Sequence, residues 1–145
     1  MTYHFQNPDQ KTITDYITSS KTIAVVGLSN RTESAAYNVA KVMQDAGYTI
    51  IPINPNLVGE TLLGETVYAR LQDVEQPIDI VDVFRRSAFL PDVAKDFVEA
   101  KAGIFWAQLG LESQEAEAIL RENGVQSIVM NKCLKLEYQA LKREA

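Results

Sequence analysis

At residues 22–27 the chain reads Thr22-Ile23-Ala24-Val25-Val26-Gly27, an unbroken apolar and β-branched run that ends in glycine. Such a run is typical of a strand that is buried on both faces of a parallel sheet. A second run of this type occupies residues 48–53. Between the two runs, apolar residues recur at the spacing of one helix face: Ala35, Val39, Val42, Met43 and Ala46. The pattern predicts a strand–helix–strand unit.

The same alternation continues on both sides of this unit. Residues 9–20 predict an N-terminal amphipathic helix with Asp9 as its N-cap. Further strands are predicted at 78–84, 104–107 and 125–130, and further helices at 90–98, 113–122 and 134–144. Residues 57–76 predict no clear element. The whole chain, 1–145, is therefore predicted to be one α/β domain: a Rossmann-like three-layer fold with a mostly parallel sheet of about five strands and helices on both faces.

Composition and charge exclude several classes of protein. With 145 residues, 46% of them hydrophobic and 23% charged, the chain is neither disordered nor collagen-like. Its net charge of −5 gives no basic field for nucleic acid or an anionic membrane surface. No apolar run reaches the ~20 residues that cross a bilayer, and the first residues do not resemble a signal peptide. One cysteine and one histidine are too few for a disulfide or a structural zinc site, so we expect a cytoplasmic protein without a metal.

Ligands of open parallel sheets bind beyond the carboxyl ends of the strands, so the residues that follow each predicted strand are the candidate site. These residues are Gly27, Ser29, Asn30, Arg31 and Ser34 after the first strand, Asn54 and Pro55 after the second, Phe84, Arg85 and Arg86 after the third, and Gln108 after the fourth. The turn at Gly27 opens a helix, where free N–H groups favour phosphate. Because the full G-x-G-x-x-G pattern is absent, a simple tight turn is an equal alternative.

Two further positions narrow the choice of ligand. Nicotinamide-binding domains end the second strand in an acid that holds the ribose diol, whereas this chain has Asn54-Pro55. Of Arg85 and Arg86, at least one is expected to face the rim and pair with phosphate oxygens, with a surface salt bridge as the alternative for either. Trp106 lies inside a predicted strand and is expected in the core, so Gln108 is the better contact residue.

The residues give no pattern for catalysis. Cys133 follows Lys132, but the lone histidine, His4, lies far away in the sequence, so a half-buried structural cysteine is favoured. Asp79 and Asp82 share a predicted strand without facing each other across a substrate. No catalytic dyad is predicted.

Taken together, five sequence tracts resemble the small stand-alone CoA-binding proteins, which are similar to the CoA-binding domain of the succinyl-CoA synthetase α subunit. The tracts are Val25-Val26-Gly27-Leu28-Ser29, residues 47–55, Val81-Asp82-Val83-Phe84-Arg85, Trp106-Ala107-Gln108-Leu109-Gly110 and Met130-Asn131-Lys132-Cys133. The family turn often has a proline before the arginine, where this chain has Asn30-Arg31. The synthetase's phosphohistidine chemistry does not transfer, because no histidine occupies the matching part of the chain.

This resemblance implies binding of coenzyme A through its ADP portion, in a cytoplasmic protein. It implies a pyrophosphate site at Gly27, Ser29, Asn30, Arg31 and Ser34, with Asn54 and Pro55 on the adenosine side. Phe84, Arg85 and Arg86 would form the opposite wall, and Trp106 and Gln108 would lie near the pantetheine end.

The leading hypothesis from the sequence is a module that binds CoA or acyl-CoA without catalysis. Two alternatives remain open: an NAD(P)-dependent oxidoreductase, and a redox or metabolite sensor in which Cys133 forms a mixed disulfide with the CoA thiol. The apolar helices at the two ends leave a homodimer open as well. No protein partner is indicated by the sequence.

Overall fold

The computed structural model describes residues 2–144. Within them the strands are β1 (Thr22–Val26), β2 (Thr49–Ile53), β3 (Thr61–Leu62), β4 (Glu65–Thr66), β5 (Ile80–Val83), β6 (Ile104–Ala107) and β7 (Ile128–Val129). The α-helices are α1 (Gln10–Ser19), α2 (Ala35–Asp45), α3 (Leu90–Ala100), α4 (Gln114–Glu122) and α5 (Leu134–Glu144). None of these helices is both long and apolar enough to cross a membrane.

Five strands form one parallel sheet in the order β2-β1-β5-β6-β7. Side chains of alternate residues enter two separate apolar layers. Ile23 and Val25 pack with α1, α2 and α5, whereas Ala24 and Val26 pack with α3 and α4. The three-layer Rossmann-like fold predicted from the sequence is confirmed. Strands with helices on both faces bury the side chains of both faces, which is why these strands are nearly continuous apolar runs.

Three helices begin at capping side chains, and the cap predicted at Asp9 is confirmed. The side chains of Asp9, Ser34 and Ser113 accept hydrogen bonds from the backbone N–H of Thr12, Tyr37 and Ala116. Each bond satisfies an N–H that has no partner within its helix. Ser34 thereby fixes the start of α2 at the carboxyl end of the sheet.

The structure corrects the last strand, which spans two residues instead of the predicted 125–130. The N–H of Val125 bonds to Leu120 at the end of α4, so this residue is not available to the sheet. Beyond the carboxyl end of β7, Asn131 has a φ of 59°, which turns the chain away from the sheet. As an edge strand, β7 pairs with β6 alone.

Residues 57–76, which predict no clear element, contain the small antiparallel hairpin β3–β4. Its two-residue loop is Leu63-Gly64, and both residues have positive φ, as in the turns that suit hairpins. The chain then passes beside β2, where Tyr68 forms a parallel bridge with Ile53. This segment covers the exposed edge of β2 and carries the following residues to the carboxyl end of the sheet.

Asp82 is a buried acid in the middle of the sheet. It lies on β5 between Val25 and Trp106 of the neighbouring strands and is fully buried. Neither carboxyl oxygen makes a hydrogen bond within the part of the chain that the structure describes. Burial raises the pKa of the Asp82 carboxyl well above its ordinary value of 3.8, so the neutral form is favoured in the folded protein. Asp79 instead lies at the amino end of this strand, where it accepts bonds from the N–H groups of Lys21 and Thr22.

We predict that Asp82→Asn changes the pH dependence of stability. In the unfolded chain the carboxyl ionises near 3.8, whereas its raised pKa in the folded protein favours the protonated form. Its contribution to stability is therefore present below pH 3.8 and is lost as the pH rises towards the folded-state pKa. Urea unfolding at about pH 4, 6 and 8 should show the variant gaining stability relative to the wild type as the pH rises. An identical difference at every pH would contradict a neutral buried Asp82.

Candidate functional site

The candidate site lies where the order of the strands reverses. The chain passes from β1 outward to β2 and then crosses back to β5 on the other side of β1. At such a switch point the connections leave towards opposite faces of the sheet and open a crevice between them. Gly27 follows β1 and Phe84 follows β5, so these residues form the centre of the crevice.

Position 27 accepts only glycine, because of its backbone conformation and the atoms next to it. Its φ is 93°, and a Cβ at this position would stand 2.6 Å from the carbonyl oxygen of Phe84. Its N–H donates to the carbonyl of Ile53 at 3.0 Å, and the N–H of Phe84 donates to the carbonyl of Val26 at 2.9 Å. The ends of β1, β2 and β5 are thus joined by backbone contacts that leave no room for a side chain.

Two cavities flank Phe84, Arg85 and Arg86, which we call the shared wall. The first cavity, of about 590 Å³, lies between the turn at Gly27, residues 53–56, residues 69–71 and one face of α3. The second cavity, of about 530 Å³, lies between the starts of α2 and α5 and the loop after β6. Both volumes are in the range of small-molecule sites.

The shared wall carries cations that are not neutralised. Arg85 stacks over the ring of Phe89, with 4.2 Å from its guanidinium carbon to the ring centroid. Among the carboxylates that the structure describes, none lies within 4.0 Å of Arg85 or Arg86. Both side chains are exposed at the mouth of the cavities. They are free to pair with an anionic ligand.

The loop between Gly27 and α2 is hydrogen-bonded internally, and its residues Ser29, Asn30, Arg31 and Ser34 line neither cavity. Ser29 accepts a bond from the N–H of Arg31 at 3.2 Å, and Arg31 pairs with Glu33 at 3.1 Å. Asn30 is exposed, and Ser34 is occupied as the cap of α2. Hydrogen bonding to its own backbone N–H and then to Arg31 lowers the pKa of Glu33. Arg31 must leave this exposed pair to bind a phosphate.

Asn54 joins two strand ends at the edge of the first cavity. Its Nδ2 donates to the carbonyl of Leu28 at 3.0 Å, and its Oδ1 accepts from the N–H of Asn56 at 2.9 Å. Pro55 is exposed next to it. Both Asn54 and Pro55 line the first cavity.

Trp106 and Gln108 are placed differently from each other. The side chain of Trp106 is fully buried, and its Nε1 donates to the carbonyl of Lys132 at 2.8 Å. The structure therefore does not bring Trp106 to either cavity, because its apolar ring fills the layer under α2 and α5. Gln108 does line the second cavity, although its Oε1 is held by the N–H of Leu134.

Several lining residues escape the sequence analysis. Arg70 enters the first cavity from the segment beside β2, and the nearest oxygen of Asp73 is 4.0 Å from it. Asp92 and Asp96 line the same cavity from α3, and Asp96 accepts a bond from Gln72. The i, i+4 spacing of the two aspartates is a signal that they share a helix face. Arg70 gives no such signal, since it lies in the stretch without a predicted element.

The potential catalytic residues do not meet. Cys133 is half-buried and lines the second cavity, whereas His4 lies 3.5 Å from Glu112. Within residues 2–144, no group of three His, Cys, Asp or Glu side chains is arranged to hold a metal ion.

A family model described as a CoA binding domain matches residues 21–139 of this chain. The chain belongs to this CoA-binding domain family. It is 45% identical over 137 residues to the uncharacterized protein YneT of Bacillus subtilis (strain 168), covering 94% of this chain and 99% of YneT.

Solved structures of similar proteins show the same fold. A Thermus thermophilus protein described as cell-free ID.343 is 34% identical, with a TM-score of 0.88, and the match covers 92% of this chain and 99% of that one. A hypothetical protein from Pyrococcus horikoshii OT3 is 27% identical, with a TM-score of 0.86, and the match covers 97% of this chain and 99% of that one.

We predict that Gly27→Ala destabilises the protein by about 1–3 kcal/mol, because the added methyl group meets the Phe84 carbonyl in a strained backbone conformation. Gly59→Ala is the matched control, since Gly59 has a similar φ of 86° but no atom within 4 Å of the added Cβ. Urea unfolding of both variants should show a clearly larger loss for Gly27→Ala. Equal losses would show that the close approach to Phe84 imposes no constraint.

Proposed function

We propose that this chain binds coenzyme A or an acyl-CoA through the ADP portion, in the first cavity, and that it works as a binding module without catalysis. The observation that carries the proposal is the position of this cavity, at the switch point between the Gly27 turn and the unpaired cations of the shared wall. Membership of the CoA-binding domain family supports the same class of ligand.

The cations at the first cavity suit the phosphates of CoA, whereas the carboxylates of Asp92 and Asp96 mark the side of α3 that the phosphates would avoid. Arg85 and Arg86 offer planar guanidinium groups, which bind phosphate oxygens in pairs. On the other side of the shared wall, at the second cavity, the N-terminus of α2 offers backbone N–H groups and the positive end of the helix dipole. In this proposal the pyrophosphate would leave the first cavity at the Gly27 turn, where Ser29, Asn30, Arg31 and Ser34, which lie outside that cavity, would hold it. Breaking the exposed pair of Arg31 with Glu33 costs little, because exposed ion pairs are weak.

The end of β2 favours CoA over NAD. A carboxylate at this position, as in nicotinamide-binding domains, would repel the 3′-phosphate of CoA, whereas the Asn54 amide is neutral. Arg70 follows Tyr68, whose backbone bonds to β2, so its cation lies near the same strand end. We assign to Arg70 the recognition of the 3′-phosphate.

The arrangement of the titratable groups supports binding without catalysis. Asp82 is buried inside the sheet, and Asp79 lies at the amino end of β5, away from the candidate site at the carboxyl ends of the strands. Cys133 makes no bond to His4 in the described structure. Cys133 is a free thiol, and we propose the reducing cytoplasm as the place of action.

Calorimetry with CoA, dephospho-CoA, NAD and NADP tests this proposal. We expect CoA to bind more tightly than dephospho-CoA and than either nicotinamide nucleotide. Tighter binding of NAD or NADP than of CoA would contradict the proposal and favour the oxidoreductase alternative.

Arginine variants test the assigned roles. Arg86→Ala should weaken CoA binding by about 1.5–3 kcal/mol, the usual value of a hydrogen bond to a charged group. Arg70→Ala should weaken binding of CoA but leave that of dephospho-CoA unchanged. Arg143→Ala is the matched control, because Arg143 is an exposed arginine in the last turn of α5, away from the cavities. An equal loss of CoA affinity in Arg143→Ala would show that the arginine variants act only through the net charge of the protein.

A further inference from the structure

The second cavity differs in chemistry from the first. Its walls carry a set of aliphatic side chains from α2, α5 and the loop after β6: Ala35, Val39, Leu109, Leu111 and Leu136. Leu109 is 64% exposed and Leu136 is 50% exposed, although large apolar side chains are usually covered. Two exposed leucines on the walls of one concave site form an apolar patch, and such patches mark binding surfaces.

Apart from Arg85 and Arg86 of the shared wall, the polar side chains around this patch are largely hydrogen-bonded within the protein. Asn38 accepts a bond from Lys135 at 2.7 Å, and Gln108 accepts one from the N–H of Leu134 at 3.0 Å. The surface that the cavity offers to a ligand is therefore mainly hydrocarbon. Away from the shared wall, a polar ligand would gain few new hydrogen bonds there, whereas a hydrocarbon chain would be removed from water.

The two cavities adjoin the same wall, so one ligand can occupy both. Phe84, Arg85 and Arg86 line the first cavity on one side and the second on the other. A ligand with phosphates at one end and an apolar group at the other matches this order of charged and apolar surfaces. CoA and acyl-CoA share the pantetheine arm, which joins the phosphates to the sulfur and would cross the shared wall past Gln108. Only an acyl-CoA adds a hydrocarbon chain beyond the sulfur.

We propose that the second cavity binds the acyl chain of an acyl-CoA, and that acyl thioesters rather than free CoA are the preferred ligands. This inference rests on the proposed binding of CoA in the first cavity. The patch of Leu109 and Leu136 supplies the affinity for the chain, and the shared wall supplies the affinity for the phosphates.

A series of acetyl-, butyryl- and hexanoyl-CoA tests the proposal by calorimetry. Each methylene group that becomes buried should raise the affinity by about 4-fold. Leu109→Ser and Leu136→Ser should each reduce this dependence on chain length, measured for each variant relative to its own affinity for free CoA. Because both leucines are exposed, neither change removes part of the core. Val58→Ser is the matched control: Val58 is 56% exposed, lines neither cavity and should leave the dependence intact.

The outcomes separate this proposal from the one on which it rests. Tight binding of CoA with equal affinity for every chain length would overturn the acyl site and leave the CoA site standing. No binding of any member of the series would overturn both. If the serine variants change the sedimentation of the unliganded protein and not the chain-length dependence, the patch is a contact between two copies of the chain, and the acyl site is likewise refuted.

Cys133 provides a second readout inside the cavity. It is the single cysteine of the chain and lines the second cavity. Alkylation of its thiol by iodoacetamide should be slowed more by hexanoyl-CoA than by acetyl-CoA at equal saturation. Equal protection by the two thioesters would place the acyl chain elsewhere.

Discussion

The contact between the backbone at Gly27 and the carbonyl of Phe84 is the constraint on which the site depends. It occurs where β1 and β5, adjacent parallel strands, send their connections to opposite faces of the sheet. The bonds from Gly27 to Ile53 and from Asn54 to Leu28 add the end of β2 to the same cluster. Because three strand ends are fixed by backbone and amide groups, the crevice between them has a defined shape before any ligand arrives.

Two cavities lie on the two sides of the shared wall, and their lining residues differ in chemistry. On one side, Arg70 and the residues at the end of β2 add polar groups to the cavity beside α3. On the other, the starts of α2 and α5 place aliphatic side chains around a half-buried thiol. Arg85 and Arg86 lie between them and are free of carboxylate partners in the described structure. This arrangement is the basis of our proposal that the ligand carries phosphates at one end and an acyl chain at the other.

The fold was predictable because the central strands are apolar apart from Asp82 on β5 and alternate with segments of helical periodicity. The core position expected for Trp106 from its place in a strand is confirmed. The hairpin at residues 61–66 was not predictable, because its strands have two residues each and no periodicity. The same lack of pattern hid Arg70, and tertiary packing alone brings Leu109 and Leu136 together. Local sequence therefore indicated the strand ends but not the side chains that reach them from elsewhere.

A titration of the ¹⁵N-labelled protein with CoA, followed through its backbone amide resonances, tests the location of the site most directly. The account predicts that the largest shifts occur at Gly27 and the start of α2, at Asn54 and at the shared wall of Phe84, Arg85 and Arg86. Shifts concentrated at Tyr48 and Tyr138, on the surface between the ends of α2 and α5, would contradict it.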